Sequence, residues 1–198
     1  MTERLVGKPA PDFTMATATG DGQEFGKVSL SDYKGKWLVL FFYPLDFTFV
    51  CPTEITALSE AAGQFNAINA EILGVSTDSI HSHRAWINTP VDQNGLGKLN
   101  FPLASDITKQ VARDYGVLIE EEGIALRGLF IINPEGELVY QVVHHNNVGR
   151  SVEETYRVLE ALQSGGLCPV GWKKRRQAPG CEVIVFKNRF LNSPPRRV

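Results

Sequence analysis

Three cysteines stand in this chain of 198 residues, at positions 51, 168 and 181, and the surroundings of the first prepare a sulfur for chemistry. The run Phe41-Phe42-Tyr43-Pro44-Leu45-Asp46-Phe47-Thr48-Phe49-Val50 delivers Cys51-Pro52-Thr53-Glu54. That tetrapeptide reads as the first turn of a helix: proline is pre-organised there, and an acidic residue suits the positive end of the helix dipole. A thiol at a helix start is biased toward thiolate, and the thiolate is the nucleophile. Position 51 is therefore expected to be a reactive cysteine. Zinc is rejected: Cys168 and Cys181 lie thirteen apart, His81 and His83 two apart, and His144 and His145 are adjacent, so no pair has Cys-x2-Cys or His-x3-His spacing. The histidines are read as surface or hydrogen-bonded structural residues. A Cys-x-x-Cys redox pair is disfavoured because position 54 is Glu. No metal and no cofactor is expected.

Such a nucleophile needs a strand to deliver it and a helix to carry it. Trp37-Leu38-Val39-Leu40-Phe41-Phe42-Tyr43 is β-branched and aromatic with apolar residues on both faces, which suits a central strand covered on both sides. From Cys51 to about Ala67, the positions Ile55, Leu58, Ala62 and Phe65 recur every three or four residues and predict a helix with one face inward. A strand follows at Glu71–Ser76, then a helix capped by Ser79 or Asp78 that runs through Trp86 and Ile87 and stops near Pro90. Phe101–Ala104 reads as a short strand, and Asp106 as the cap of a helix to about Tyr115, ended by Gly116. Leu126–Ile132 and Glu137–Val143, joined by Asn133-Pro134-Glu135-Gly136, predict a β-hairpin. Ser151-Val152-Glu153-Glu154 has the form of a capping box, opening a helix to about Gln163 whose buried stripe is Val152, Tyr156, Leu159 and Leu162. Upstream, Pro9 and Pro11 hold the backbone extended, Gly20-Asp21-Gly22 marks a turn, and Val28–Tyr33 holds a cap or short turn. Alternating elements closed by a hairpin and a helix predict an α/β fold, a mixed central β-sheet with helices on both faces. Open sheets of this kind collect ligands beyond the carboxyl ends of their strands, where Cys51 falls.

With 43% hydrophobic residues the chain can bury a core of its own. Residues 1–164 are read as the folded domain and 165–198 as a C-terminal extension. Charge is unevenly placed as well. Residues 1–171 carry 12 Lys/Arg against 21 Asp/Glu, a net of −9, while residues 172–198 carry 8 against 1, a net of +7. The basic tail, with an edge strand read at Glu182–Phe186, lacks aromatic interleaving and is expected to be solvated, so nucleic acid is not an expected partner. No apolar run approaches 18 residues and Met1-Thr2-Glu3-Arg4 opens no signal segment, which predicts a cytoplasmic protein with no membrane partner.

Phe41–Glu54, together with Arg127-Gly128-Leu129-Phe130-Ile131 and Cys168-Pro169-Val170-Gly171-Trp172, resembles the typical two-cysteine peroxiredoxins of the alkyl hydroperoxide reductase or thioredoxin peroxidase kind. The likeness covers roughly residues 4 to 172. It implies a thioredoxin-like fold and a thiol-dependent reduction of hydrogen peroxide and organic hydroperoxides. It also implies that Cys51 is the peroxidatic residue and that Cys168 resolves Cys51 of the partner subunit in a head-to-tail homodimer. Thioredoxin or a dedicated disulfide reductase would reopen that disulfide, and five dimers would close a ring. Pro44 takes the position of the proline that walls water off the sulfur. The residue chemistry agrees independently. Reduction of a peroxide needs a thiolate to attack one oxygen and donors to hold the other. Thr48 can aim a hydroxyl at both, and Arg127 supplies a permanent charge with forked donors. Glu54 is expected to orient Arg127. Oxidised Cys51 is a sulfenic acid, which condenses with a second thiol if one arrives before more peroxide does.

Two departures from the family pattern stand out. Peroxide-sensitive members carry Gly-Gly-Leu-Gly and a C-terminal Tyr-Phe helix, whereas Asn94-Gly95-Leu96-Gly97 stands alone here, which predicts resistance to overoxidation. Cys181 matches no family position and is read as a spare thiol. Beside peroxidase activity, a general disulfide oxidoreductase and a holdase chaperone or redox relay are the competing functions; the chaperone role could coexist with peroxide turnover.

Overall fold

The computed structural model describes residues 4–174, so Cys181 and the edge strand expected at 182–186 lie outside the described residues. In chain order the elements are β1 (Lys8–Pro9), β2 (Thr14–Ala18), β3 (Phe25–Ser29), β4 (Trp37–Phe42), α1 (Cys51–Asn66), β5 (Ala70–Ser76), α2 (Ile80–Asn88), β6 (Leu103–Ser105), α3 (Gln110–Asp114), β7 (Leu118–Ile119), β8 (Ile124–Ala125), β9 (Arg127–Ile132), β10 (Glu137–His144) and α4 (Val152–Gln163). Eight strands form one mixed sheet in the order β1-β10-β9-β4-β5-β6-β2-β3, and β7 with β8 makes a separate ribbon. Strands β4, β5 and β6 run parallel, whereas β9 lies antiparallel against β4 with Phe41 opposite Leu129.

Alternation along β4 explains why helices cover both faces. Val39 and Phe41, with Tyr43 just beyond the strand, enter one core with Ile55, Leu58 and Phe65 of α1, Trp86 of α2 and Leu159 of α4. Leu38, Leu40 and Phe42 enter the other, with Val111 and Ala112 of α3 and Phe130 of β9. Successive strand residues point to opposite faces, so a strand apolar throughout is buried on both. The expected α/β architecture is the one observed.

Local differences have local causes. Residues 14–29, where the sequence predicts only a turn at Gly20-Asp21-Gly22 and a cap or short turn from Val28, form the β2–β3 hairpin, because cross-strand pairing supplies what a stretch interrupted by Gly20, Gly22 and Gly26 lacks in propensity. Helix α3 is shorter than expected: Lys109 sits in the left-handed region at φ +62°, and the Asp106 carboxylate reaches past it to accept from the N–H groups of Val111 and Ala112. Of the two caps considered for α2, Ser79 is the one used, its Oγ accepting from Ser82 N. Asp78 instead accepts from Ser76 Oγ and from Asp46 N. At α4 only the serine half of the capping box forms, since the Glu154 carboxylate turns to Arg157.

Candidate active site

Beyond β4 the chain crosses from sheet to helix in eight residues, Tyr43 to Val50, and a buried polar frame holds the crossing. Asp46 accepts from Tyr43 Oη at 2.9 Å and meets His83 Nδ1 at 2.8 Å, while His83 Nε2 reaches the Ala104 carbonyl at 3.2 Å. His83 is fully buried, a hydrogen-bonded structural histidine as expected from sequence. Phe47 adopts φ +54°, uncommon for a bulky residue, and stacks its ring 5.8 Å from that of Trp86. Pro44 is buried in the same crossing. Thr48 Oγ1 donates to Leu45 O at 3.1 Å.

Cys51 begins α1 with its side chain out of contact with solvent. Antiparallel pairing of β9 with β4 puts Arg127, the first residue of β9, beside it. Arg127 Nη1 donates to Cys51 Sγ at 3.3 Å and to Glu54 Oε2 at 2.6 Å. Its Nε donates to the Asn146 carbonyl at 2.8 Å, and Nη2 has no hydrogen-bond partner among the described residues. The structure thus brings together three residues that the sequence places 73 and 76 positions apart.

Arg150, which the sequence reading missed, completes the cluster. Its backbone N and Nε donate to Glu54 Oε1 at 2.6 and 2.8 Å, and Nη2 donates to Oε2 at 3.1 Å. Its Nη1 donates to the carbonyls of Phe42 and Gly128, and its guanidinium carbon lies 5.5 Å from the centroid of the Phe41 ring. No short-range pattern connects Arg150 to a carboxylate 96 residues away. Burial opposes ionisation of Glu54, but hydrogen bonds and charge from Arg150, then charge from Arg127, outweigh it and hold the carboxyl below its ordinary range. Two guanidiniums and one carboxylate leave a net charge of +1 beside the sulfur.

Cys168 lies elsewhere. It is exposed, with Sγ 3.4 Å from Ser164 Oγ. Helices α1 and α4 run side by side in the same direction. Glu54 meets Arg150 at one end, and Gln163 Nε2 donates to Ile68 O at the other. A helix of 16 residues is roughly 24 Å long, and Cys168 follows the end of α4 remote from Cys51. Among the described residues no group of three or more His, Cys, Asp or Glu is arranged to hold a metal, and no helix is long and apolar enough to cross a membrane.

A mixed α/β sheet that presents a buried cysteine at a helix start beneath an arginine defines a thiol-based oxidoreductase of the thioredoxin-like class. Comparison narrows the class. Residues 6–141 match the AhpC/TSA family. A putative peroxiredoxin of Bacillus subtilis is 64% identical over 175 residues, covering 87% of this chain and 97% of the relative. Peroxiredoxin-2 of Bos taurus is 55% identical over 183 residues, covering 90% and 88%. Among solved structures, the reduced 2-Cys peroxiredoxin of Plasmodium vivax superposes with a TM-score of 0.85 at 41% identity, covering 88% of this chain and 92% of that one. The chain belongs to the AhpC/TSA family and is a peroxiredoxin, a thiol peroxidase with the thioredoxin-like fold.

Proposed function

We propose that Cys51 is the peroxidatic residue and that Cys168 of a partner subunit resolves it in a head-to-tail homodimer. The observation that carries this reading is the 3.3 Å hydrogen bond from Arg127 Nη1 to Cys51 Sγ, with the guanidinium held from both sides by Glu54 and Asn146. A fixed cation that donates to sulfur makes its best bond to a thiolate. The thiolate attacks the terminal oxygen of a hydroperoxide, forming an S–O bond as the O–O bond breaks. Cys51 keeps the hydroxyl as a sulfenic acid, and the leaving alkoxide takes the proton that Cys51 gave up on ionising. Arg127 Nη2, which has no partner among the described residues, is the donor available to that developing charge. Thr48 is positioned three residues upstream to offer its hydroxyl once it leaves Leu45 O, and Pro44 walls the sulfur from water.

The sulfenic acid then condenses with Cys168, losing water to give a disulfide. Cys51 at one end of the parallel α1–α4 pair and Cys168 beyond the other are held apart within one chain, which supports resolution by a second subunit's thiol. Condensation needs the first turn of α1 to open. Val50 provides no side-chain cap there, which favours the opening. Thioredoxin or a dedicated disulfide reductase reopens the exposed disulfide, a cycle suited to a reducing cytoplasm. Five such dimers closing a ring is the assembly we assign.

Steady-state peroxide turnover with thioredoxin and its reductase tests the reading. Cys51→Ser should abolish turnover, and Cys168→Ser should stop thioredoxin-dependent cycling after one turnover. Undiminished turnover in Cys51→Ser sinks the reading. Full cycling in Cys168→Ser removes only the resolving role.

A further inference from the structure

Two polar atoms close to the reactive centre are enclosed by the chain and have no hydrogen-bond partner among the described residues: His144 Nδ1 and Asn146 Oδ1. Buried polar groups are almost always paired, so an exception beside an active site calls for a cause. Both residues belong to the machinery around Arg127. His144 ends β10 and is the cross-strand partner of Arg127 in the β9–β10 register. Asn146 follows two residues later, and its backbone carbonyl accepts from Arg127 Nε at 2.8 Å. The chain then reaches Arg150, whose backbone N and Nε grip Glu54. The Asn146 carbonyl therefore holds the guanidinium from behind, and Arg150 holds the carboxylate from the side.

The two orphan atoms are complementary. The amide Oδ1 is an acceptor only, whereas the imidazole Nδ1 donates in one tautomer. Neither atom is open to solvent in the single chain, so a second subunit docking from outside cannot supply the missing partner. His145 makes the contrast: it is exposed, and its Nδ1 accepts from Asn147 N at 3.4 Å.

We infer that His144 and Asn146 are positioning residues for Arg127, forming one polar unit, closed through trapped water, that locks the Asn146 carbonyl onto Arg127 Nε. The guanidinium then keeps Nη1 on the sulfur. Neither residue touches the reacting atoms.

The inference rests on the thiol peroxidase reading, and its test separates the two. Stopped-flow oxidation of the reduced full-length protein by hydrogen peroxide is followed by tryptophan fluorescence, with thermal melts alongside. His144→Leu and Asn146→Leu should each slow oxidation about tenfold, the effect of roughly one unmet buried hydrogen bond. The double variant should be no slower than the slower single, because both remove the same unit. His144→Gln should recover to within about threefold of wild type, since it restores a donor where leucine only fills space. His145→Leu should react at the wild-type rate. A wild-type rate in His144→Leu, additive losses in the double variant, or equal rates for leucine and glutamine at 144 overturn the inference. Should the leucine variants not fold, the 15N shift of His144 Nδ1 in the wild-type protein decides: a hydrogen-bonded signature supports it and a bare one overturns it. If Cys51→Ser is inert while His144→Leu reacts normally, only this inference fails; if Cys51→Ser reacts like wild type, the parent reading fails.

Discussion

Replacing Glu54 by glutamine should damage stability and reactivity together, and the structure sets the size of both. The carboxylate accepts four hydrogen bonds, one from Arg127 and three from Arg150, at 2.6 to 3.1 Å. All three side chains are at most 5% exposed. The substitution leaves two buried guanidiniums without their shared carboxylate. Removing one partner of a buried ion pair costs about 3–5 kcal/mol, and glutamine keeps an acceptor oxygen, so the lower end applies. For a chain of this size 1 kcal/mol moves the melting temperature by roughly 2–4 °C, which predicts a fall of about 6–12 °C. Loss of the 2.6 Å anchor also frees Nη1 from its place on the sulfur. Misplacement on that scale slows a positioned reaction by about 10- to 100-fold. Thermal melts and stopped-flow oxidation of the reduced variant measure the two effects. A melting temperature within about 2 °C of wild type, with an unchanged oxidation rate, refutes the assignment of Glu54 as the anchor of the cluster.

Three further outcomes follow from the same geometry. Arg127→Met, which keeps bulk and removes every donor, should slow oxidation of Cys51 by about 10²- to 10³-fold in single-turnover stopped-flow, the cost of one pre-organised charge-stabilising donor. Acid should unlock the cluster. Glu54 ionises below its ordinary value of 4.5, so its stabilising effect is complete above that value and is lost as pH falls through the depressed one. Melting temperature should therefore fall below about pH 4.5 more steeply in wild type than in Glu54→Gln. Mass spectrometry of Cys51 during turnover at low micromolar peroxide should show no sulfinic acid, in keeping with the isolated Asn94-Gly95-Leu96-Gly97 segment; its appearance there would refute the expected resistance.

Much of the site was legible because its parts carry short-range signals. Pro52 and Glu54 mark a helix start one residue after Val50, and the unbroken apolar run to Tyr43 marks a doubly covered strand leading to it. Arg127 stood out because a permanent cation heads an apolar strand. Arg150 carries no comparable mark. It precedes an ordinary serine cap, and only the parallel packing of α4 on α1 brings it to Glu54. The β2–β3 hairpin was hidden for a related reason: Ala16 and Ala18 dilute the strand preference of Thr14 and Thr17, and pairing with β6 and β3 supplies the order. The roles of His144 and Asn146 were hidden most deeply, since adjacent histidines read equally as surface or as hydrogen-bonded structural residues until the register sets one beside Arg127.

The most direct test of Cys51 as the working sulfur uses one equivalent of hydrogen peroxide on the reduced wild-type protein, with an acid quench and peptide mass spectrometry under non-reducing conditions. The predicted product is a disulfide between Cys51 and Cys168 that joins two chains and is absent from Cys51→Ser. Consumption of the peroxide with Cys51 recovered as a free thiol would contradict it.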